Sequence, residues 1–239
     1  MIRIVELYVA KRGLAPGELS RRLGQHARSM PPRSLVSMRV HVVTATPRRP
    51  DVAPLLLPAP ICAVAESWAP SVARYDRAQA GPELHEWLVA RGEFLCAAKV
   101  LLTEEDVIVP PREGCGRCGN VSLVTRKSSV SAEQFRRAWH GVHGAMAHDV
   151  PHLGGFTLCD VVGERAPVGL AELGGPPVDG IARAAFASRR DEELMAASEE
   201  ARAWFDDGAA TFGQIAGFES ELLAESRALS PSEPAVPRV

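Results

Sequence analysis

The sequence predicts an α+β protein built from two tandem ferredoxin-like repeats, each running β-α-β-β-α-β. Three observations carry this reading. Strand-like and helix-like patterns follow one another in the same order twice along the 239 residues. The halves also match weakly in letters, since Val9-Ala10-Lys11-Arg12 parallels Val124-Thr125-Arg126-Lys127 and Glu86-Trp87-Leu88 parallels Ala203-Trp204-Phe205. Such repetition points to a duplicated unit. Finally, a four-stranded sheet with two helices on one face leaves its other face bare, and two such units bury those faces by stacking. The stack can form within the chain, between chains, or both, so a homodimer is a possible partner state.

Met1 to Lys11 alternates apolar and polar residues and reads as a strand. Pro16 to Met30 reads as a helix with Leu19 and Leu23 inward, stopped by Pro31-Pro32. A second strand spans Ser34 to Ala45, a proline-rich loop Thr46 to Pro60, and a third strand Ile61 to Trp68. Ser71 to Arg91 is helical with a possible break at Gly81-Pro82, and Phe94 to Thr103 is the fourth strand. These elements make a first repeat over residues 1–109, and residues 110–119, rich in Gly, Pro and Cys, are a linker. The second repeat covers 120–225: strand Asn120 to Lys127, helix Ser131 to Val150, strand Gly155 to Gly163, loop Glu164 to Gly180, strand Ile181 to Ser188, helix Asp191 to Phe212 and strand Gln214 to Glu225. Residues 226–239 hold three prolines and are expected to be a disordered tail.

The net charge of -2, with both signs mixed, gives no clustered basic face for nucleic acid. No apolar run is long enough to span a membrane. The charge in Met1-Ile2-Arg3-Ile4-Val5-Glu6 argues against a signal peptide. Five cysteines are too few and too odd for a disulfide scaffold, which makes a reducing cytoplasm the expected compartment. There is no P-loop or dinucleotide fingerprint, so no nucleotide, flavin or nicotinamide cofactor is expected.

The helix from Ser131 to Val150 holds the richest chemistry, with His140, His143 and His148 on it and His152 just beyond. Ser131 is a suitable N-cap and Pro151 ends the pattern. On an α-helical wheel Phe135, Trp139, Val142 and Met146 form the buried stripe, and His143 lies roughly 60° from its centre. His143 is therefore the histidine placed to be half-buried, where its charge can be tuned for proton transfer. The competing reading is a core-edge histidine bonded to backbone.

Arg126-Lys127 after a strand, the Phe135-x3-Trp139-x3-His143 spacing, Pro151 and the 191–212 helix together resemble the EthD family of dimeric α/β-barrel proteins over about residues 120 to 224. In the first half Leu19 and Leu23 stand where Phe135 and Trp139 would be. Ala27 takes the histidine position there, with His26 one residue off. The first half thus looks degenerate. The resemblance implies a cofactor-independent lyase (dehydratase) or isomerase acting on a small hydroxylated, ring-containing or lactone-like substrate of catabolic or secondary metabolism. His143 would be the base, Trp139 would line the pocket, and His140, Asp160 and Arg183 would orient the substrate. Two alternatives are a non-catalytic small-molecule or haem-binding accessory protein and a cofactor-free monooxygenase.

The remaining features have blander readings. Trp139 equally suits the core. His140 and His143 lack a third ligand for a metal, so no metal site is expected. Asp160 and Arg183, on neighbouring predicted strands, could form a cross-strand ion pair. Cys115-x-x-Cys118 reads as linker before redox pair or half zinc site, while Cys62, Cys96 and Cys159 read as core. Arg48-Arg49 reads as solvated surface. Asp206-Asp207 reads the same way, with a minor chance that one carboxylate meets a histidine.

Overall fold

The computed structural model describes residues 1–30 and 35–227. The expected Pro31-Pro32 stop, the expected strand start at Ser34 and the part of the expected tail beyond residue 227 lie outside these residues. In chain order the elements are β1 (Ile2–Ala10), α1 (Pro16–Arg28), β2 (Ser37–Ala45), β3 (Ala53–Pro54), β4 (Ala63–Ala69), α2 (Val72–Ala80), α3 (Pro82–Ala90), β5 (Leu95–Val109), β6 (Cys118–Arg126), α4 (Ala132–Ala138), β7 (Gly155–Arg165), β8 (Ala171–Glu172), β9 (Gly180–Phe186), α5 (Arg189–Ala197), α6 (Glu199–Thr211) and β10 (Phe212–Arg227).

Eight long strands close into one antiparallel barrel in the order β1-β4-β2-β10-β6-β9-β7-β5 and back to β1. Each repeat contributes four neighbours, β5-β1-β4-β2 and β10-β6-β9-β7. The two seams are equivalent: the last strand of each repeat pairs with the second strand of the other, as β5–β7 and β10–β2. The barrel therefore closes within one chain. The short β3 and β8 repeat the same exchange, β3 lying parallel to β10 and β8 parallel to β5.

The seams need long strands, and β5 is longer than its sequence pattern suggested. Glu104, Glu105 and Asp106 interrupt the apolar pattern after Thr103, yet they pair with Asp160, Cys159 and Leu158 of β7. Acidic residues disfavour strands intrinsically, and the seam overrides that preference. The expected linker shortens accordingly, since β6 begins at Cys118. At the other end Ser226 and Arg227 belong to β10 rather than to a tail.

Alternation along the strands sorts the core into three apolar clusters. Val5, Leu7, Val64, Leu101, Val121, Leu123, Ile181 and Phe218 face the barrel interior. Ile4, Tyr8, Leu23, Val40, Leu84 and Trp87 fill the layer between the first repeat's strands and helices. Val124, Phe135, Trp139, Phe156, Met195 and Trp204 fill the corresponding layer of the second. The second helix of each repeat is split in two. Pro82 sits in the first turn of α3 after Gly81, and the Ser198 hydroxyl accepts from the Ala201 N–H to cap α6. No helix among the described residues is long and apolar enough to cross a membrane.

Candidate active site

The expected single helix over residues 131–150 is not one α-helix. Ser131 caps it, with Gln134 completing a capping box, but α4 gives way to a π turn over Trp139–Gly144. A π turn inserts one residue, so everything after it rotates by about 100° relative to an α-helix. The consequence is visible in burial. Val142, expected in the buried stripe, is 50% exposed, whereas His143 is 4% exposed.

The same insertion reconciles the two repeats. Trp204 Nε1–H donates to the His143 carbonyl at 2.9 Å, and Trp87 Nε1–H donates to the His26 carbonyl at 3.1 Å. Each tryptophan also stacks on its histidine, with ring centroids 5.0 Å and 4.0 Å apart. His26, not Ala27, is thus the counterpart of His143. The one-residue mismatch in sequence is the extra residue of the π turn.

His143 is packed by rings on several sides. It is parallel to Trp139 at 5.5 Å and meets Phe212 edge-on at 5.1 Å. Its Nδ1 lies 3.0 Å from Asp207 Oδ2, which accepts the Nδ1–H and so leaves Nε2 as the basic nitrogen. Burial pushes the imidazole down to about 4, against the upward pull of the Asp207 hydrogen bond and charge; nearby Arg49 adds to the lowering.

His143 opens onto a cavity of about 650 Å³ between the outer face of the second sheet and α5 and α6. This lies within the usual range for small-molecule sites. Phe156, Met195, Trp204, Phe205 and Phe212 give it flat apolar walls, and Asn120 and Ser122 of β6 supply polar floor groups. Its roof is Pro47–Asp51, a piece of the first repeat's proline-rich loop that β3 pins to β10. Arg49, expected on a solvated surface, lines the cavity and packs over the Phe205 ring at 4.9 Å.

In the first repeat the corresponding space is filled. Arg91 stands at the same sequence offset from Gly208 as His26 from His143 and Trp87 from Trp204. Its guanidinium, wholly buried, reaches Oε1 and Oε2 of Glu6 at 2.8 Å and Tyr8 Oη at 2.9 Å. By strand register Glu6 and Tyr8 occupy the β1 positions that Ser122 and Val124 hold on β6, so the letter match of Val9 with Val124 is one residue out of structural register. Burial lowers the His26 imidazole to about 4, and its Nε2 is buried without a partner among the described residues.

The other expected site residues lie elsewhere. Trp139 does not line the cavity: it is fully buried behind His143, and its indole N–H has no partner among the described residues. His140 points away, with Nδ1 3.0 Å from Asp106 Oδ2 and Nε2 3.2 Å from both oxygens of Asp160. Asp160 and Arg183 do not pair, because their side chains leave opposite faces of the barrel wall. Asp160 shares the helix-facing parity of Leu158, and Arg183 the interior parity of Ile181. Inside the barrel Arg183 bonds Glu66 and donates to His41 Nε2 at 2.8 Å, and Arg3 bonds the same Glu66 as well as Glu105 at 2.7 Å. Burial, with Arg183 and Arg3 nearby, holds His41 well below its ordinary range.

Arg49 and Asn120, which line the cavity, and Asp207, which bonds His143 beside it, have more weight in the structure than in the sequence. Only Asp207 had a signal, as one of two adjacent carboxylates on a helix. The five cysteines are all free thiols, and Cys96 is exposed rather than core. Among the described residues no three His, Cys, Asp or Glu side chains cluster closely enough to hold a metal.

No family model matches the chain. It is 30% identical over 101 residues to the 4-carboxymethyl-4-methylbutenolide mutase of Pseudomonas reinekei, a stretch that spans 42% of this chain and 94% of that protein. That relative is therefore about one repeat long. Among solved structures, an anthrone oxidase-like protein matches with a TM-score of 0.65 at 14% identity, over 98% of this chain and 96% of its own. A candidate monooxygenase from Lactobacillus acidophilus NCFM matches with a TM-score of 0.57 at 10% identity, over 95% of each chain. At such identities these two likenesses establish the shared two-repeat barrel and nothing about the reaction.

Proposed function

We propose, for a chain that belongs to the dimeric α/β-barrel superfamily and to the family of the butenolide mutase, that its second repeat is a cofactor-independent isomerase of small unsaturated lactones. Within the superfamily we place that repeat in the EthD-like branch, with the first repeat as a degenerate partner. The observation that carries the reading is the His143–Asp207 pair, whose free nitrogen belongs to a residue lining a flat, largely apolar cavity. The mutase relationship favours isomerisation over dehydration, and the ring-lined walls suit a planar substrate.

The mechanism follows from the charge state of the base. His143 is neutral at ordinary pH, so Nε2 is ready to accept a proton. A base whose conjugate acid sits near 4 is weak. It needs a carbon acid already activated by a neighbouring carbonyl, as in a conjugated lactone. Asp207 holds the ring in one tautomer and stabilises the imidazolium as it forms. The imidazolium then returns the proton to a different carbon, and the double bond moves.

The test is to incubate the protein with a panel of substituted butenolides in D2O and follow carbon-bound deuterium by NMR. Exchange and isomerisation are expected with the wild type, and His143→Ala should lower the rate by about 10²- to 10⁴-fold. Unchanged turnover in His143→Ala, or no exchange by the wild type on any lactone, would refute the reading.

A further inference from the structure

We propose that Arg49, delivered by the first repeat, binds the oxyanion that develops on the substrate in the second repeat's cavity. This rests on the isomerase reading above and names the group that takes up charge while His143 takes up the proton.

Arg49 is held on several sides. Its Nε donates to Asp51 Oδ1 at 3.0 Å, and its Nη2 donates to Asp51 and to the Phe205 carbonyl at 2.6 Å. Its Nη1 has no acceptor among the described residues. A planar guanidinium fixed through two nitrogens keeps the N–H pair on the third in one place. Nη1 lies 3.3 Å, and His143 Cε1 3.4 Å, from the point where a Cβ on residue 208 would sit. The two groups thus flank Gly208 from different repeats, and a side chain there would intrude between them and strike the Phe212 ring, 2.8 Å from that point. A second, independent observation lies on the floor. Asn120 Oδ1 is buried without a partner among the described residues, in the same cavity. Arg49 offers donors and Asn120 an acceptor, which matches a lactone whose carbonyl oxygen becomes anionic and whose ring carries a hydroxyl.

The step balances without any oxidant. The C–H bond at the γ carbon of the conjugated lactone breaks, and its proton goes to His143 Nε2. Its electron pair becomes the new β,γ C=C bond, the former α,β pair moves between the α carbon and the carbonyl carbon, and the carbonyl oxygen takes the negative charge against Arg49 Nη1. His143 then returns the proton to the α carbon, which restores the carbonyl and leaves the double bond between the β and γ carbons. Donors fixed where charge develops act without reorganising at the moment of reaction.

Titration calorimetry tests this with tetronate, a five-membered ring anion with the charge distribution of a butenolide enolate, and with neutral 2(5H)-furanone. Arg49→Gln is expected to weaken tetronate about 10- to 100-fold, the range for a hydrogen bond to a charged group, and to leave the furanone unaffected. Arg49→Lys keeps the stem over Phe205 and the charge but loses the fork, so it should weaken tetronate several-fold even if the glutamine variant fails to fold. Equal tetronate affinity in wild type and variants, or no tetronate binding by the wild type, overturns the proposal. The two ideas fail separately. If the wild type exchanges no lactone proton yet tetronate affinity follows Arg49, the anion site stands and the isomerase falls. If His143→Ala abolishes exchange while Arg49 is irrelevant to tetronate, the base stands and the oxyanion role falls.

Discussion

His143 owes its charge state to two opposed influences, and the balance between them predicts a pH profile. Burial among Trp139, Trp204 and Phe212 penalises the imidazolium, while Asp207 favours it. Burial wins, so activity that needs neutral His143 should persist through pH 5 and fall only as pH drops through about 4. Asp207→Asn removes the favourable charge and the tautomer lock together. Its acid limb should therefore move to still lower pH while the plateau rate falls, by about 10²-fold or more given what loss of such a carboxylate costs other histidine bases. A pH–rate series on both proteins checks this, and an acid limb that moves upward would contradict it. The helical periodicity predicts a half-buried His143, and the structure buries it further. An α-helical wheel left His143 at the edge of the buried stripe, and the π turn carried it inside.

The π turn is the element that decides which residues enter the cavity. In the first repeat an unbroken α1 places His26 seven residues after Leu19, whereas α4 and its π turn place His143 eight after Phe135, yet both histidines stack on equivalent tryptophans. Deleting Gly141, an exposed residue with nothing around its missing Cβ, should convert the turn to plain α-helix. His143 should stay on Trp204. The variant is expected to fold and keep its imidazole shifted low by NMR titration; an imidazole titrating near its free value would show that the two helices are not equivalent. Strand lengths belong to this scale too. The acidic end of β5 is invisible to propensity because its partner, β7, lies far along the chain.

For the whole molecule, the two crossed seams make each repeat dependent on the other. The second repeat's cavity takes its roof from the first repeat, and the barrel interior joins Arg3 and Glu66 of one half to Arg183 of the other. Three buried histidines, His26, His41 and His143, are all held below their ordinary range, one in each apolar layer. Each is neutral when folded and takes a proton more readily when unfolded, so the unfolded chain binds more protons below pH 6.5. Stability should be full above that value and decline as pH falls toward 4, with His26 and His143 each contributing about 3 kcal/mol to the loss. Denaturant melts between pH 7 and 4 measure it, and a flat midpoint across that range would refute it.

Read alone, the residues gave the repeated β-α-β-β-α-β order and the inward tendency of His143, because hydrophobic periodicity and capping are local signals. The weak letter match of the halves pointed to duplication for the same reason. Only the tertiary structure decided that the barrel closes within one chain, that Arg183 faces the interior and Asp160 the helices, and that Trp139 backs the cavity rather than lining it. It also decided that Arg91 plugs the first site while Gly208 leaves room in the second. These depend on strand register, on one inserted helical residue and on contacts between residues more than 100 positions apart, such as Arg183 with Glu66 and Arg49 with Phe205. No local pattern carries that information, because the energy that selects each arrangement comes from a partner the neighbouring sequence does not contain.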